Sequence, residues 1–167
     1  IGPGCLILEV QEPSDLVIEP ERHVGTTTLT DAKMWGQLDP DTALTCFDYA
    51  SAGTEDAIRN RLCIRPRIIA EIPAGRHESL VDRARTDCFR IERLVLRGPE
   101  FSFVPTAPWM VGMVTSGAGR LWTETGADRG HDIRAGGAFL IPAGVRECRF
   151  RVDAEPLTVF LATADPA

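Results

Sequence analysis

The sequence predicts a mainly β protein, a sandwich, barrel or jelly roll, with a short helical linker ahead of its main run of strands. From Ile68 onward, short segments rich in branched and aromatic residues recur, each bounded by Gly, Pro or Asp, which is the pattern of short strands joined by tight turns. Helix-start signals are confined to the stretch 39–62. With 167 residues, 44% of them hydrophobic, the chain is long enough to bury a core of its own.

Taken in order, Cys5 to Val10 reads as a buried strand, Pro13-Ser14-Asp15 as a turn, and Leu16 to Ile18 as a second short strand ended by Pro20. Residues 22 to 32 are polar and read as a loop. Asp39-Pro40-Asp41 starts a helix: an acceptor side chain caps it, proline takes the first position and an acid sits in the first turn. Ala43, Leu44 and Phe47 supply that helix with an apolar face. Thr54-Glu55-Asp56 begins a second helix with Ala57, Ile58 and Leu62 turned inward, and Arg65-Pro66 ends it because the residue before proline disfavours the helical region.

The strands that follow are expected at Ile68–Ile72, Cys88–Leu96, Phe101–Val104, Met110–Thr115, Gly119–Glu124, Ala138–Ile141, Arg149–Val152 and Leu157–Ala162. In the second of these, Phe89, Ile91, Leu94 and Leu96 are assigned to the buried face, and Arg90, Glu92, Arg93 and Arg97 to the wet one.

Several function classes are excluded by composition. The net charge of −6 offers no overall basic face for displacing phosphate counterions, so nucleic acid is not an expected partner. The Arg59, Arg61, Arg65 and Arg67 group reads as a solvated helix end and loop. No run approaches the roughly 18 to 20 apolar residues of a membrane span, and there is no signal-peptide pattern. Lys33 is the sole lysine, which disfavours Schiff-base chemistry. The cysteines at 5, 46, 63, 88 and 148 are irregularly spaced and form no CxxC, so neither a disulfide framework nor a zinc knuckle is expected, and a reducing cytoplasm fits best. The apolar company of Cys5 reads as a buried thiol.

Two stretches carry a family resemblance. Gly117-Ala-Gly119 followed by Gly136-Gly137-Ala-Phe-Leu-Ile-Pro142-Ala-Gly144 resembles the second half of a cupin jelly roll. Gly2-Pro-Gly4-Cys-Leu-Ile-Leu-Glu9-Val-Gln11-Glu-Pro-Ser14-Asp15 resembles the type I mannose-6-phosphate isomerases, in which a "His-Ala-Ile/Leu-Gly" element leads into an apolar strand, "Glu-x-Gln-x-x-Ser-Asp", and then an arginine. Gly2, Glu9, Gln11, Ser14 and Asp15 match at the family spacing, and Ala162-Thr163-Ala-Asp-Pro166 resembles the family's ending.

The resemblance implies a cupin jelly-roll (double-stranded β-helix) chain that is the carboxy-terminal half of a longer protein. Residues 1–30 would be the last strands of an amino-terminal catalytic unit, 31–66 a helical linker, and 67–167 a carboxy-terminal jelly roll. It further implies a metal-dependent aldose–ketose isomerase acting on a sugar or sugar phosphate, with Glu9 and Asp15 catalytic and Gln11, Glu19 and Arg22 against the substrate. A zinc or other divalent ion would be held by ligands upstream of Ile1, none of them within this chain. Residues upstream are expected in any case, since the chain opens without Met directly into an apolar run.

Two departures from the family pattern bear on activity. Glu19 stands where the family carries its catalytic arginine, four residues after Asp15; Arg22 is three residues further on, beyond Pro20. Losing an oxyanion-stabilising donor typically costs ~10²–10³ in rate. Glu147 occupies the place of the histidine that metal-binding cupins carry three residues beyond Gly144, so the carboxy-terminal unit reads as structural. His77 and His131 read as surface or satisfied polar residues rather than ligands. A second reading therefore stands beside the isomerase: a non-catalytic cupin that binds a carbohydrate or regulates through it.

Overall fold

The computed structural model describes residues 3–11, 17–50, 53–124 and 130–164. The chain divides into two compact units, one of Ile1–Val10 with Ile64–Ala167 and one of Gln11–Cys63. Among the described residues no helix is long and apolar enough to cross a membrane.

The smaller unit is built from short elements. Strands β1 (His23–Val24) and β2 (Thr27–Thr28) pair as an antiparallel hairpin across Gly25, whose φ of 60° is open to glycine at little cost. This hairpin replaces the loop expected over residues 22–32. Helix α1 (Asp31–Trp35) follows, then α2 (Pro40–Leu44). Asp39 caps α2 as the sequence predicts: its carboxylate accepts from the Thr42 N–H at 3.0 Å, and that contact holds its carboxyl below the usual range. Helix α3 (Glu55–Ala57), capped by the Thr54 hydroxyl, runs into a π-helical turn over Ile58–Leu62. Ala43 and Ala57 are buried, but Phe47, Ile58 and Leu62 are exposed, contrary to their assignment to inner faces. The helices are too short to hold one apolar stripe along their length.

The larger unit is a curled antiparallel sheet in the order β3-β4-β5-β10-β7-β8, with β6 pairing β10 and β9 pairing β7. The strands are β3 (Arg67–Ile72), β4 (Gly75–Val81), β5 (Phe89–Leu96), β6 (Phe101–Phe103), β7 (Met110–Thr123), β8 (His131–Arg134), β9 (Ala138–Ile141) and β10 (Cys148–Ala164). Strands β7 and β10 run through both layers of the sheet. The amino-terminal part of β7 pairs β9 and its later part pairs β8; the early part of β10 pairs β6 and its later part pairs β5. Two bent strands shared between two layers make a jelly roll, as the fold class expected from the sequence requires.

The bend falls where the β7–β10 ladder loses register, between Val152 and Val159. Gly117, at φ 77°, sits opposite it, and a Cβ there would lie 2.7 Å from the Pro156 carbonyl oxygen. Both the conformation and the close approach need glycine. Residues 116–118 and 153–156, which fall between strands expected from the sequence, are thus bends within continuous strands.

The core lies between the layers: Leu94, Leu96, Met110, Val114, Phe150, Leu157, Val159 and Leu161 are fully buried. Three further expectations are corrected. Cys5 to Val10 forms no strand and Cys5 is exposed, since this stretch has no ladder partner. Leu16 lies outside the described residues, and Val17 and Ile18 stand in no strand. His131, whose Arg-Gly-His-Asp stretch reads as loop-like, lies on β8.

Candidate functional site

Alternation along a strand fixes which side chains enter the space between the layers. On β5 the buried row is Glu92, Leu94 and Leu96, with Ile91, Arg93 and Val95 on the other face. On β4 it is Gly75, His77, Ser79 and Val81, and on β10 it is Leu157, Val159, Leu161 and Thr163. Register sets Glu92 between Ser79 and Leu161, and Leu94 between His77 and Val159. The rows of β5 and β10 are apolar at one end and turn polar towards the other, and the row of β4 carries His77 and Ser79 beside that polar end. That polar end is a mouth of the jelly roll.

Glu92 is the centre of the mouth. Its residue exposure is 6%, so its carboxyl has lost nearly all contact with bulk water and needs partners inside the protein. With the imidazole proton on Nε2, His77 donates to Glu92 Oε2 at 2.8 Å, and Thr106 Oγ1 donates to Oε1 at 2.8 Å. His77 is held in turn by the edge-to-face contact of Phe103, with ring centroids 5.4 Å apart. The Thr163 hydroxyl donates to the Trp109 carbonyl at 2.8 Å, tying β10 to the loop that carries Thr106.

A cavity of about 330 Å³ opens beside Glu92, with Ser79 on its floor and Arg67, Asp82, Arg83 and Arg90 around it. Arg67 and Asp82 face each other across it at 3.4 Å. The lining combines fixed acceptors, guanidinium donors and the apolar side chains of Ile69 and Val81, a mixture suited to orienting one small polar molecule. His77 lies behind Glu92 and does not line the cavity.

The residues singled out from the sequence lie elsewhere. Glu9 and Gln11 are exposed on an extended segment without strand pairing. Asp15 lies outside the described residues. Glu19 is exposed, its backbone N–H donating to the Met34 carbonyl at 2.8 Å, and Arg22 pairs with Asp31 at 3.0 Å on the surface. Glu9 belongs to the larger unit; Glu19 and Arg22 belong to the smaller one. Glu147 is half-buried, and a hydrogen bond with Ser102, helped by Arg149, holds its carboxyl below the usual range.

Glu92 and His77 were missed, although one signal was present in the sequence. Glu92 shares its parity with Leu94 and Leu96, so a straight strand that buries the two leucines must bury the glutamate as well. Setting Ile91 and Leu94 on one face, as the sequence reading did, is impossible without a bulge between them.

Among the described residues, no group of three or more His, Cys, Asp or Glu side chains comes together to hold a metal ion. His77 and Glu92 offer two donors already bonded to each other. They do not fit a tetrahedral zinc centre.

No family model and no curated protein matches the sequence. Solved structures of similar shape include the mannose 6-phosphate isomerase of Bacillus subtilis, at TM-score 0.49 and 16% identity, over 60% of this chain and 29% of that enzyme. The oxalate decarboxylase of Lactobacillus farciminis, in a formate complex, gives TM-score 0.49 and 17% identity over 62% of this chain and 32% of that one. An RmlC-like cupin from Shewanella frigidimarina gives 0.46 and 12% over 61% and 86%. The chain thus spans less than a third of the isomerase and of the decarboxylase. Likeness of this degree decides nothing about chemistry.

Proposed function

We propose that the larger unit is a binding domain that takes a small carbohydrate-type molecule at the mouth of its jelly roll. One observation carries this reading: the buried row of β5 changes from Leu96 and Leu94 to Glu92 where a cavity opens, and that glutamate is held by His77 and Thr106. A polyhydroxylated molecule needs fixed acceptors and donors beside a little apolar surface, and the lining supplies all three. Held between two donors, the carboxylate is preorganised, which reduces what binding must spend on ordering it.

The test is a titration of the protein with free sugars, sugar acids and sugar phosphates, followed by amide NMR shifts and melting temperature. Binding predicts shifts at Ser79, Val81 and Glu92, with a rise in melting temperature that grows with ligand concentration. Silence across the whole panel would remove the reading.

The Gly2 to Asp15 run favours a second reading, in which this chain belongs to a longer metal-dependent aldose–ketose isomerase of the mannose-6-phosphate isomerase type. Glu9, Asp15, Gln11, Glu19 and Arg22 would then meet the sugar, together with a metal held by residues upstream of Ile1. The assay is aldose–ketose exchange by the full-length protein with added zinc. No turnover on any hexose or pentose, phosphorylated or free, excludes it.

A further inference from the structure

We infer that the mouth cavity reads a vicinal diol, with one hydroxyl bridging Ser79 and Glu92 and its neighbour on the second oxygen of the same carboxylate. This rests on the binding reading above and narrows it to one arrangement of hydroxyl groups, with Ser79 as a specificity-determining residue.

Ser79 differs from the polar groups around it. It keeps only 7% of its exposure, and its side chain lines the cavity. The other buried polar groups of the mouth are engaged: His77 with Glu92, Glu92 also with Thr106, and Thr163 with the Trp109 carbonyl. Among the described residues the Ser79 hydroxyl has no such partner. A nearly buried hydroxyl without a partner is costly to keep, and a ligand that supplies one removes that cost.

The β4–β5 register sets Ser79 directly opposite Glu92, on the same face of the sheet. A ligand group placed between them meets a proton donor on one side and an acceptor on the other. A hydroxyl satisfies both, giving its proton to the carboxylate and taking the serine's. An ammonium leaves the serine proton unused, and an ether or a carboxylate has no proton for Glu92.

The second contact follows from the carboxylate itself. Each Glu92 oxygen already accepts one hydrogen bond, from His77 or from Thr106, and each has capacity for another. Hydroxyls on adjacent carbons, turned to the same side, present two protons to the two oxygens of one carboxylate. Two register slips shape the wall beside this pair. The β3–β4 ladder slips between Ile68 and Ala70, and the β4–β5 ladder between Ser79 and Val81. Such bulges re-aim side chains, and Ile69 and Val81 both line the cavity, offering apolar surface to the carbons that carry the diol. At about 330 Å³ the space lies at the small end of ligand sites, ~300–1,000 Å³, and suits one ring.

The test is a titration followed by amide NMR shifts. Its probes are cis-cyclohexane-1,2-diol, trans-cyclohexane-1,3-diol (which cannot bring its hydroxyls together), cyclohexanol, D-glucose, D-mannose and D-galactose. The 1,2-diol is expected to bind about tenfold more tightly than the 1,3-diol and cyclohexanol, with shifts at Ser79 and Glu92. Ser79→Ala is expected to abolish that preference while keeping the melting temperature within about 2 °C, because the hydroxyl makes no bond within the fold. Glu92→Gln, which replaces one acceptor oxygen by a donor, abolishes the preference as well. A ratio of affinities does not depend on how much of each variant folds. Equal affinity for the two diols, or a preference that survives Ser79→Ala, would overturn the inference. If only a sugar binds, the same variants decide: its affinity should fall about tenfold in each, and an unchanged affinity overturns the inference. Silence from all six probes overturns it too. A sugar acid or sugar phosphate that still binds then leaves the binding reading standing, and a silent wider panel removes both.

Discussion

The two ends of the jelly-roll interior are built on the same strands and obey different rules. At one end β5 and β10 present Leu94, Leu96, Leu157 and Val159, each with no exposed surface. At the other, the same alternation presents Glu92 and Thr163, joined by His77 and Ser79 from β4. The apolar end draws stability from area removed from water and from close packing. The polar end buries groups that contribute little net stability even when fully satisfied. All of these residues are buried, the polar ones retaining only 3–7% of their exposure, so burial alone does not say what a residue is for; the chemistry of the buried group does. The apolar end holds the two layers together, and the mouth keeps polar groups fixed at a cost the core offsets.

The largest expected effect belongs to the apolar end. Leu94→Ala removes a fully buried side chain between β4 and β10, and should destabilise by ~2–5 kcal/mol in urea unfolding. A loss below about 1 kcal/mol would mean that this end is loosely packed and the contrast false.

Cys148 gives the next largest effect. Burial, with the nearby charge of Glu147, pushes its thiol from 9.0 up to about 11. Between those values the unfolded chain releases a proton that the folded chain keeps, so stability falls as pH rises from 9 to 11, by at most ~2.7 kcal/mol. Well below pH 9, where the thiol is protonated in both states, it contributes no slope. Cys148→Ala should remove this part of the alkaline decline, seen as the difference between the two stability–pH curves. A thiol reagent at neutral pH should modify the exposed Cys5, Cys46 and Cys63 quickly and Cys148 only on unfolding.

This contrast also explains how much the sequence revealed. The apolar end was legible because its strands alternate in the way sheets require: Phe101-Ser102-Phe103 is buried, exposed, buried, and Leu157, Val159 and Leu161 recur at every second place. β4 was not, because its inward residues at 75, 77 and 79 are Gly, His and Ser, which carry no hydrophobic signal. Strand β8 has one buried apolar residue, Ile133, and read as a loop for the same reason. Gly117 and Pro156 announced turns where the chain only bends, because glycine and proline mark a change of direction and not whether the ladder resumes beyond it. The mouth was hidden by the physics that makes it a candidate site: polar residues at core positions break the very pattern used to find strands.

A smaller effect tests whether the mouth tolerates change. Glu92→Leu leaves the His77 and Thr106 donors without their acceptor, and should cost ~1–3 kcal/mol. Adding His77→Phe removes one orphaned donor and should restore part of that loss, a coupling of ~0.5–3 kcal/mol in a double-mutant cycle. Additive losses would show that the pair does not act as a unit.

The smallest effect is expected far from both ends, at Arg22. Its pair with Asp31 spans 3.0 Å, but the two side chains keep 55% and 72% of their exposure. Water and salt screen such a pair, and holding two flexible side chains together costs entropy, so exposed pairs contribute ~0–1 kcal/mol. At these exposures Arg22→Ala should change stability by less than ~0.5 kcal/mol, as measured by urea unfolding, and the change should vanish in molar salt. That near-neutrality makes Arg22 a clean probe. If it meets a sugar in the longer protein, Arg22→Ala reduces turnover with no loss of stability. If its partner is Asp31 alone, turnover and stability both stay where they were. A stability loss above about 1.5 kcal/mol would contradict the exposure of the pair and move Arg22 from the surface into the packing of the smaller unit.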